Sequence, residues 1–142
     1  MIQRIQSLWL LLAAIGGFLV IGDPSIYKAT LANGSMSYLS ASNSLLLYAL
    51  MIGIGCLCLI AIFLFKKRPT QNRLCIISIL LAIAAIALEV KNAESYKAQP
   101  GFVKGTYQLA ALLPILMIIF LIMAIRGIHK DQKLVKSLDR LR

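Results

Sequence analysis

Charged residues are scarce in this sequence. Charged residues make up 14% of its 142 residues, only five are acidic, and there is a single histidine. A soluble domain normally carries about 25% charged residues. With so few carboxylates and one imidazole, the sequence offers no paired acids for acid–base catalysis and no His-rich cluster for a metal. We expect no catalytic residue, no metal site and no cofactor.

The three cysteines do not form a recognisable motif. Cys56 and Cys58 are separated by one residue, and Cys75 stands alone. Disulfide frameworks belong to short secreted domains, and zinc or thiol-redox sites use a Cys-x-x-Cys spacing. On a helix, Cys56 and Cys58 would point about 200° apart. We interpret all three as small apolar side chains used in packing, which argues against a thiol-redox enzyme.

Long apolar runs dominate what is present, since 60% of the residues are hydrophobic. The clearest is 45–65, which carries no charge and is long enough to cross a hydrocarbon core of about 30 Å as a helix. Lys66, Lys67 and Arg68 follow it directly. A helix that is apolar on every side indicates a membrane span in a chain this short. The runs predict four spans and a tail, at about residues 5–22, 44–65, 74–90, 106–125 and 126–142.

The first run, residues 5–22, could instead be a cleaved signal peptide, because Arg4 precedes it and its apolar core is short. Asp23 and Pro24 follow it, where a signal peptide would show a small-x-small cleavage site. This pair is typical of a helix stop. We therefore predict a retained first span.

Two runs that favour β-strands flank Asn33 and Gly34 in the loop between the first two spans. Asn-Gly is the dipeptide that best suits the type I′ turn of a hairpin, and Tyr27 and Tyr38 favour strands on either side of it. The loop therefore predicts a small β-hairpin on the outer, periplasmic surface. An isolated hairpin is marginally stable, so we expect it to pack on the helix ends or on the second outer loop, 89–105.

Other predictions concern the ends and faces of the spans. Asn43 is placed to cap the second span. Pro114 lies inside the fourth span, where it would remove one backbone hydrogen bond and kink the helix. Small residues recur at positions where a neighbouring helix can approach closely. The residues predicted to pack helices in this way are Ala13, Gly17, Gly53, Gly55, Ser78 and Ala82.

Lysine and arginine are distributed unequally between the two ends of the spans. Eleven of the fifteen occur at Arg4, within 66–73 and from Arg126 onward, and four occur in the two outer loops. The positive-inside rule places the side with eleven in the cytoplasm. The sequence thus predicts an all-α membrane protein, a four-transmembrane-helix bundle with a periplasmic β-hairpin and both termini in the cytoplasm.

The tail, 126–142, combines an apolar stripe with many cations. Its leucines recur at i, i+4 and i+7, so one face of a helix would be apolar. Such a basic amphipathic helix can lie on anionic phospholipid, at about 1 kcal/mol per cation near the surface, or dock on a cytoplasmic partner. A solvated anchor that only sets orientation is the third interpretation. The predicted lipid- or partner-binding residues are Arg126, Lys130, Lys133, Leu134, Lys136, Leu138, Arg140, Leu141 and Arg142.

Both ends of the chain resemble a known family. MIQRIQSLWLLLAA at the start and IRGIHKDQKLVKSLDRLR at the end are similar to the terminal signatures of a small Bacteroidetes membrane family, catalogued as a domain of unknown function (number four-two-nine-three). The resemblance covers the whole chain and implies four spans in a bacterial inner membrane. It implies no activity and supplies no site residues.

Two functions stay open. The first is a non-enzymatic accessory or scaffold protein that binds other membrane proteins or a second copy of itself. The second is a small transporter or channel, although proton-coupled carriers hold an ionisable residue within the bilayer and Asp23 and Glu89 lie at the rims of the predicted spans. Membrane orientation accounts for the net charge of +10, so we expect the lipid bilayer and not nucleic acid as a partner.

Overall fold

Four long helices and a small sheet make up the computed structural model, which describes residues 2–65 and 67–139, with side chains for 5–65 and 67–133. Four of its helices are long and apolar enough to cross a membrane, which confirms the prediction of a mostly helical chain with four such helices. Three short 3₁₀ turns join helices to strands, at Leu19–Gly22, Ala41–Asn43 and Leu109–Leu112. The helices and strands are α1 (Ile2–Phe18), β1 (Ser25–Leu31), β2 (Met36–Ser40), α2 (Leu45–Phe63), α3 (Arg68–Lys97), β3 (Phe102–Tyr107) and α4 (Leu113–Asp139).

The helices form an up-and-down bundle. The chief neighbours of α1 and of α3 are α2 and α4, so α1 and α3 stand at opposite corners. The strands all follow or precede the same ends of the helices, which we call the sheet end. At the opposite, tail end, Arg68 donates from Nη1 to the backbone carbonyl of Asp131 at 3.2 Å and ties the start of α3 to α4.

The outward surface of the bundle is apolar along its length. Ile15 on α1, Leu80 on α3 and Ile119 on α4 are all exposed. A water-soluble protein rarely exposes apolar surface on this scale, because leaving it in water is unfavourable. Lipid tails remove that penalty. The exposed apolar surface therefore accords with a membrane protein.

The sheet has three antiparallel strands in the order β2-β1-β3. β1 and β2 form the predicted hairpin, but the type I′ turn is wrong, because it needs positive φ at both Asn33 and Gly34 and only Gly34 has it, at 73°. The Gly34 N–H instead bonds the Leu31 carbonyl at 3.0 Å, so the loop is a three-residue turn that ends on a left-handed glycine.

β3 was not predicted, because residues 102–105 were expected in the second outer loop and 106–107 in the fourth span, whose helix begins instead at Leu113. Gly105 is required in this strand, since Tyr27 of β1 lies so close that a Cβ at 105 would overlap its ring. A lone strand is unstable, so β3 exists only through its pairing with β1.

The end of α3 supports the sheet. Ala93 packs in one buried cluster with Tyr27, Ala29 and Leu39, and Tyr96 and Phe102 close its edge. The hairpin thus packs on a helix end, and its edge pairs with the second loop, as expected. A second, larger core fills the interior of the bundle.

Two helices are longer than the predicted spans. α3 was expected over about 74–90 but extends from Arg68 to Lys97, and α4 runs without a break from Leu113 into the tail up to Asp139. An apolar run marks only the part of a helix that is suited to the hydrocarbon core, whereas the helix itself can continue into the polar sequence on either side. Pro69 assists the early start of α3, because the first turn of a helix needs no proline N–H.

Two predictions about helix ends are wrong. Pro114 is the second residue of α4 and lies directly after a 3₁₀ turn, so its missing N–H is one that the first turn leaves free and no kink results. Asn43 does not cap α2, whose N-cap residue is Ser44. The Asn43 side chain instead accepts a hydrogen bond from Ser40 Oγ at 2.8 Å and donates to Tyr96 Oη at 3.0 Å.

α1 and α2 make their closest approach at Gly17 and Gly55. A Cβ placed on Gly17 would lie 2.7 Å from the Met51 carbonyl oxygen and 2.9 Å from Gly55 Cα. Ala13 is completely buried one turn away. Only glycine permits two backbones to lie this close.

The other predicted packing residues differ among themselves. Ser78 and Ala82 are buried on the face of α3 that points into the bundle. Gly53 departs from the expectation, since a Cβ placed there would meet no atom within 4 Å. It lies on the opposite side of α2 from Gly55 and faces outward.

Gly17→Ala should therefore destabilise the bundle, and Gly53→Ala provides the matched control. The first substitution forces apart two backbones and should cost about 1–3 kcal/mol. The second adds a methyl in open space and should change stability by about 1 kcal/mol or less, in the favourable direction because alanine is the better helix former. Thermal unfolding in detergent micelles, followed by circular dichroism, measures both. Equal midpoints for the two variants would contradict the close contact.

Candidate functional site

A shallow groove on the outward face of α2 is the first candidate site, and we call it the Gly53 groove. It has a volume of about 390 Å³ and an almost wholly apolar lining. Gly53 forms its floor, since the missing side chain leaves the space open. The lining residues are Leu46, Ala49, Leu50, Gly53, Cys56, Leu57 and Leu81.

The cysteines fall into two classes. Cys56 is exposed and lines the Gly53 groove, whereas Cys58 and Cys75 are buried between helices. In the part of the chain that the structure describes, no three His, Cys, Asp or Glu side chains converge where they could hold a metal ion. A thiol reagent would therefore reach Cys56 in preference to the other two.

An open cavity at the sheet end is the second candidate site, and we call it the polar cavity. Its volume is about 250 Å³, and it lies between the turn before α2 and the last turns of α3. Most of its lining groups are amides and hydroxyls. The lining residues are Leu39, Asn43, Ser44, Asn92, Ser95 and Tyr96.

Asp23 belongs to the hydrogen-bond network beside this cavity. It has a left-handed backbone, φ 50° and ψ 47°, which asparagine and aspartate tolerate better than other side chains, and it ends the 3₁₀ turn after α1. Its carboxylate accepts hydrogen bonds, chiefly from Ser42, and these hold its pKa below the ordinary value of 3.8. Ser42 Oγ lies 3.0 Å from Ser40 Oγ, and Ser40 donates its one hydroxyl hydrogen to Asn43, whose amide donates to Tyr96. The network fixes the turn against α3.

Glu89 is buried inside the bundle, with only 4% of its surface exposed. The sequence placed it at the rim of the third span, but α3 continues for two further turns to Lys97. Helical spacing puts Glu89 on the same strip of α3 as Asn92 and Tyr96, at i, i+3 and i+7. The signal was in the sequence, since Ser78, Ala82, Ala85 and Glu89 follow one another at helical spacing on one buried face.

Polar side chains are also buried at the tail end. Gln6 of α1, Gln71 of α3 and Asp131 of α4 are each at least nine-tenths buried, and each has a side-chain polar atom without a hydrogen-bond partner. Gly127 makes room for Gln6, because a Cβ there would lie 3.0 Å from Gln6 Cβ. Asp131 lies in the segment that was interpreted as a tail, yet it is buried. The cause is that α4 stays in contact with α3 beyond the apolar run.

The predicted lipid- or partner-binding residues lie partly within the described region. Arg126, Lys130 and Lys133 are exposed on the last turns of α4 for which side chains are described. They give this end of the bundle a basic surface. The remaining members of the set have side chains outside the described residues, and these are Leu134, Lys136, Leu138, Arg140, Leu141 and Arg142.

The comparison with known families now identifies the chain. The family model described as Domain of unknown function (DUF4293) matches residues 2–141. The chain belongs to this family. The match confirms the resemblance carried by the two ends of the sequence. No curated protein and no solved structure matches the chain.

Ser42→Ala should raise the pKa of Asp23 toward 3.8, because it removes the hydrogen bond that lowers that pKa most. A group whose folded-state pKa is depressed stabilises the fold above its unfolded pKa and loses that contribution as the pH falls through the folded value. In the variant, the folded and unfolded pKa values of Asp23 should be closer together, so the free energy of unfolding should fall less as the pH is lowered through this range. An NMR pH titration of the Asp23 carboxyl carbon, with Ser35→Ala in the hairpin turn as control, measures the shift. An unchanged Asp23 titration in Ser42→Ala would refute the assignment.

Proposed function

We propose that this chain is a multi-pass protein of a bacterial inner membrane that works as a non-enzymatic accessory or scaffold subunit for other membrane proteins. The observation that carries the proposal is the Gly53 groove. It presents small residues, Ala49 and Gly53, on the outward face of a helix that is apolar on all sides. Small residues at such a face let a second helix approach closely.

The occupant that best suits the groove is a transmembrane helix of another protein. None of its lining residues is charged, and Leu46 of α2 and Leu81 of α3 add apolar surface to it. Within a bilayer, lipid tails are as apolar as leucine, so close packing at small residues is what favours a protein helix over lipid. Gly17 and Gly55 use the same principle inside the bundle.

The basic tail end supports an orientation with that end in the cytoplasm. Arg126, Lys130 and Lys133 are exposed there, as is Lys67 between α2 and α3. Cations in short cytoplasmic segments set the topology of inner-membrane proteins, and they attract anionic phospholipid headgroups. We therefore place both chain ends in the cytoplasm, the sheet in the periplasm and anionic lipid around the tail.

A small four-helix transporter is the second candidate. The burial of Glu89 favours it, since an ionisable residue inside a membrane bundle marks ion and substrate pathways in carriers. The middle of the bundle is closely packed, however. Met51, Ala85 and Leu121 are fully buried there. A carrier would need this packing to open, whereas an accessory protein would not, so the accessory role is the one we propose.

Gly53→Leu should weaken partner binding by filling the groove. A photo-crosslinker attached to Cys56 in native membranes should give an adduct with a membrane protein of distinct mass, and Gly53→Leu should reduce the adduct at least about tenfold, a loss of about 1.4 kcal/mol. Ala87→Leu, on the exposed face of α3 outside the groove, is the matched control and should leave the adduct unchanged.

Mass spectrometry of the adduct decides between occupants. Adducts with lipid alone, or equal yields from both leucine variants, would overturn the accessory role. An adduct of twice the chain's own mass would assign the groove to a second copy of this protein.

A further inference from the structure

Three buried polar side chains lie at the tail end of the bundle, and we call Gln6, Gln71 and Asp131 the tail-end cluster. They belong to three different helices, α1, α3 and α4, and are 1%, 0% and 5% exposed. Each has a buried polar atom without a hydrogen-bond partner, and these are Gln6 Oε1, Oε1 and Nε2 of Gln71, and Asp131 Oδ2. Burying such atoms without a partner is costly, most of all for a carboxylate. A bound species that pairs with them would therefore stabilise the protein.

The three residues lie at one level of the bundle. Gln6 packs on α4 at Gly127, where a Cβ would lie 3.0 Å from Gln6 Cβ and 3.7 Å from Gln6 Oε1. Asp131 follows Gly127 by one helical turn, so its Cβ lies about 5–6 Å from that position. On α3, Arg68 donates to the backbone carbonyl of Asp131 at 3.2 Å, and Gln71 follows Arg68 by one turn toward the middle of the bundle. The glutamines of α1 and α3 are thus both next to the same turn of α4.

The direction of the three side chains brings their polar atoms together. A helical side chain leans toward the N-terminus of its own helix. Since α1 and α3 begin at the tail end, Gln6 and Gln71 lean toward that end. Since α4 ends there, Asp131 leans the opposite way, toward the two glutamines. The unpaired oxygens therefore converge on one small space between the helices.

This space is closed on its inner side and carries one negative charge. Leu10, Cys75 and Ile128 each lie one turn deeper than a member of the cluster, and all three are at most 1% exposed. On the outer side, Arg68 bonds the backbone carbonyl oxygen of Asp131, which points along α4 toward the tail and away from the carboxylate. The Asp131 carboxylate is thus the one charged group of the tail-end cluster, and two amide side chains lie beside it.

We propose that the tail-end cluster binds one monovalent alkali cation, coordinated by the Asp131 carboxylate and the amide oxygens of Gln6 and Gln71. Hard cations prefer oxygen ligands, and an alkali cation can be held largely by neutral carbonyl oxygens, so it needs no group of several acids. One carboxylate balances one positive charge, whereas a divalent cation would leave an excess charge buried. Because each ligand comes from a different helix, the bound cation fastens the first turns of α1 and α3 to α4. The site is separate from the Gly53 groove and does not depend on the accessory role.

Thermal unfolding of the full-length protein in a non-ionic detergent, followed by circular dichroism, tests the site. Unfolding in sodium chloride and in potassium chloride is compared with unfolding in choline chloride at the same ionic strength, because the choline cation is too large for the space. A cation that binds only the folded state raises the unfolding midpoint as its concentration increases, by about 5 °C or more at a hundred times its dissociation constant. We expect this shift with sodium, with potassium or with both.

Three variants assign the shift to the tail-end cluster. Asp131→Asn keeps the shape of the side chain but removes its charge, and it should abolish the shift. Glu94→Gln, which removes an exposed acid at the sheet end, is the matched control and should keep the shift. Gln71→Met removes one ligand oxygen from a side chain of similar length and should raise the cation concentration for the half-maximal shift at least about tenfold. This variant also tests the site if Asp131→Asn does not fold.

Two results would overturn the proposal. Equal midpoints in all three salts would show that water and not a cation fills the tail-end cluster. A shift of equal size in the native protein, in Asp131→Asn and in Gln71→Met would place the cation elsewhere on the protein.

Discussion

Hydrocarbon offers no water to pair with a peptide group, and the architecture follows from that single constraint. Each segment that crosses must satisfy its own backbone, which only a helix can do within one segment. The four long helices meet this requirement, and their outward side chains are apolar. The sheet, whose edge strands β2 and β3 have unpaired backbone groups, lies beyond the helices at one end. Polar side chains likewise collect near the two ends of the bundle.

The same constraint changes what holds the helices together. Apolar surface gains little by leaving lipid for protein, so packing geometry has to supply the attraction. Between α1 and α2, Gly17 and Gly55 allow the two backbones to pack closely. Between α1 and α4, Trp9 stacks on Phe120, with ring centroids 5.9 Å apart. Gly53 also leaves room for a close backbone approach, but no other part of the described chain lies against it. A residue type that works inside the bundle thus recurs on its surface, where it can serve a different chain.

Hydropathy was sufficient to predict the helices but not their ends. Apolar runs located all four, and the Asn33-Gly34 pair located the hairpin. α3 and α4 extend past their apolar runs because polar sequence can remain helical when a neighbouring helix supports it, as the contact of Arg68 with Asp131 shows. β3 could not be found in isolation, since its pairing with β1 joins residues far apart in sequence. Glu89 was placed at the rim of its span for the same reason, because the burial of a polar residue depends on neighbours that are distant in sequence.

The two candidate sites differ in the polarity of their linings. The Gly53 groove offers shape alone, and so suits another apolar helix. The polar cavity offers hydrogen-bonding groups, most of them amides and hydroxyls. The hydrogen-bond network beside it begins at Asp23, which ends the 3₁₀ turn after α1, and reaches Tyr96 near the end of α3. One protein can carry both sites because the polar cavity lies at the sheet end, away from the apolar outward surface of the helices.

The topology is the most direct test of this account, and paired reporter fusions in a bacterial host measure it. Green fluorescent protein, which fluoresces only when it folds in the cytoplasm, would be fused after Arg142, and alkaline phosphatase, active only outside, would be inserted between Asn33 and Gly34. The account predicts fluorescence from the first fusion and phosphatase activity from the second. A dark terminal fusion, or an inactive phosphatase in the hairpin, would contradict four crossings with the sheet outside.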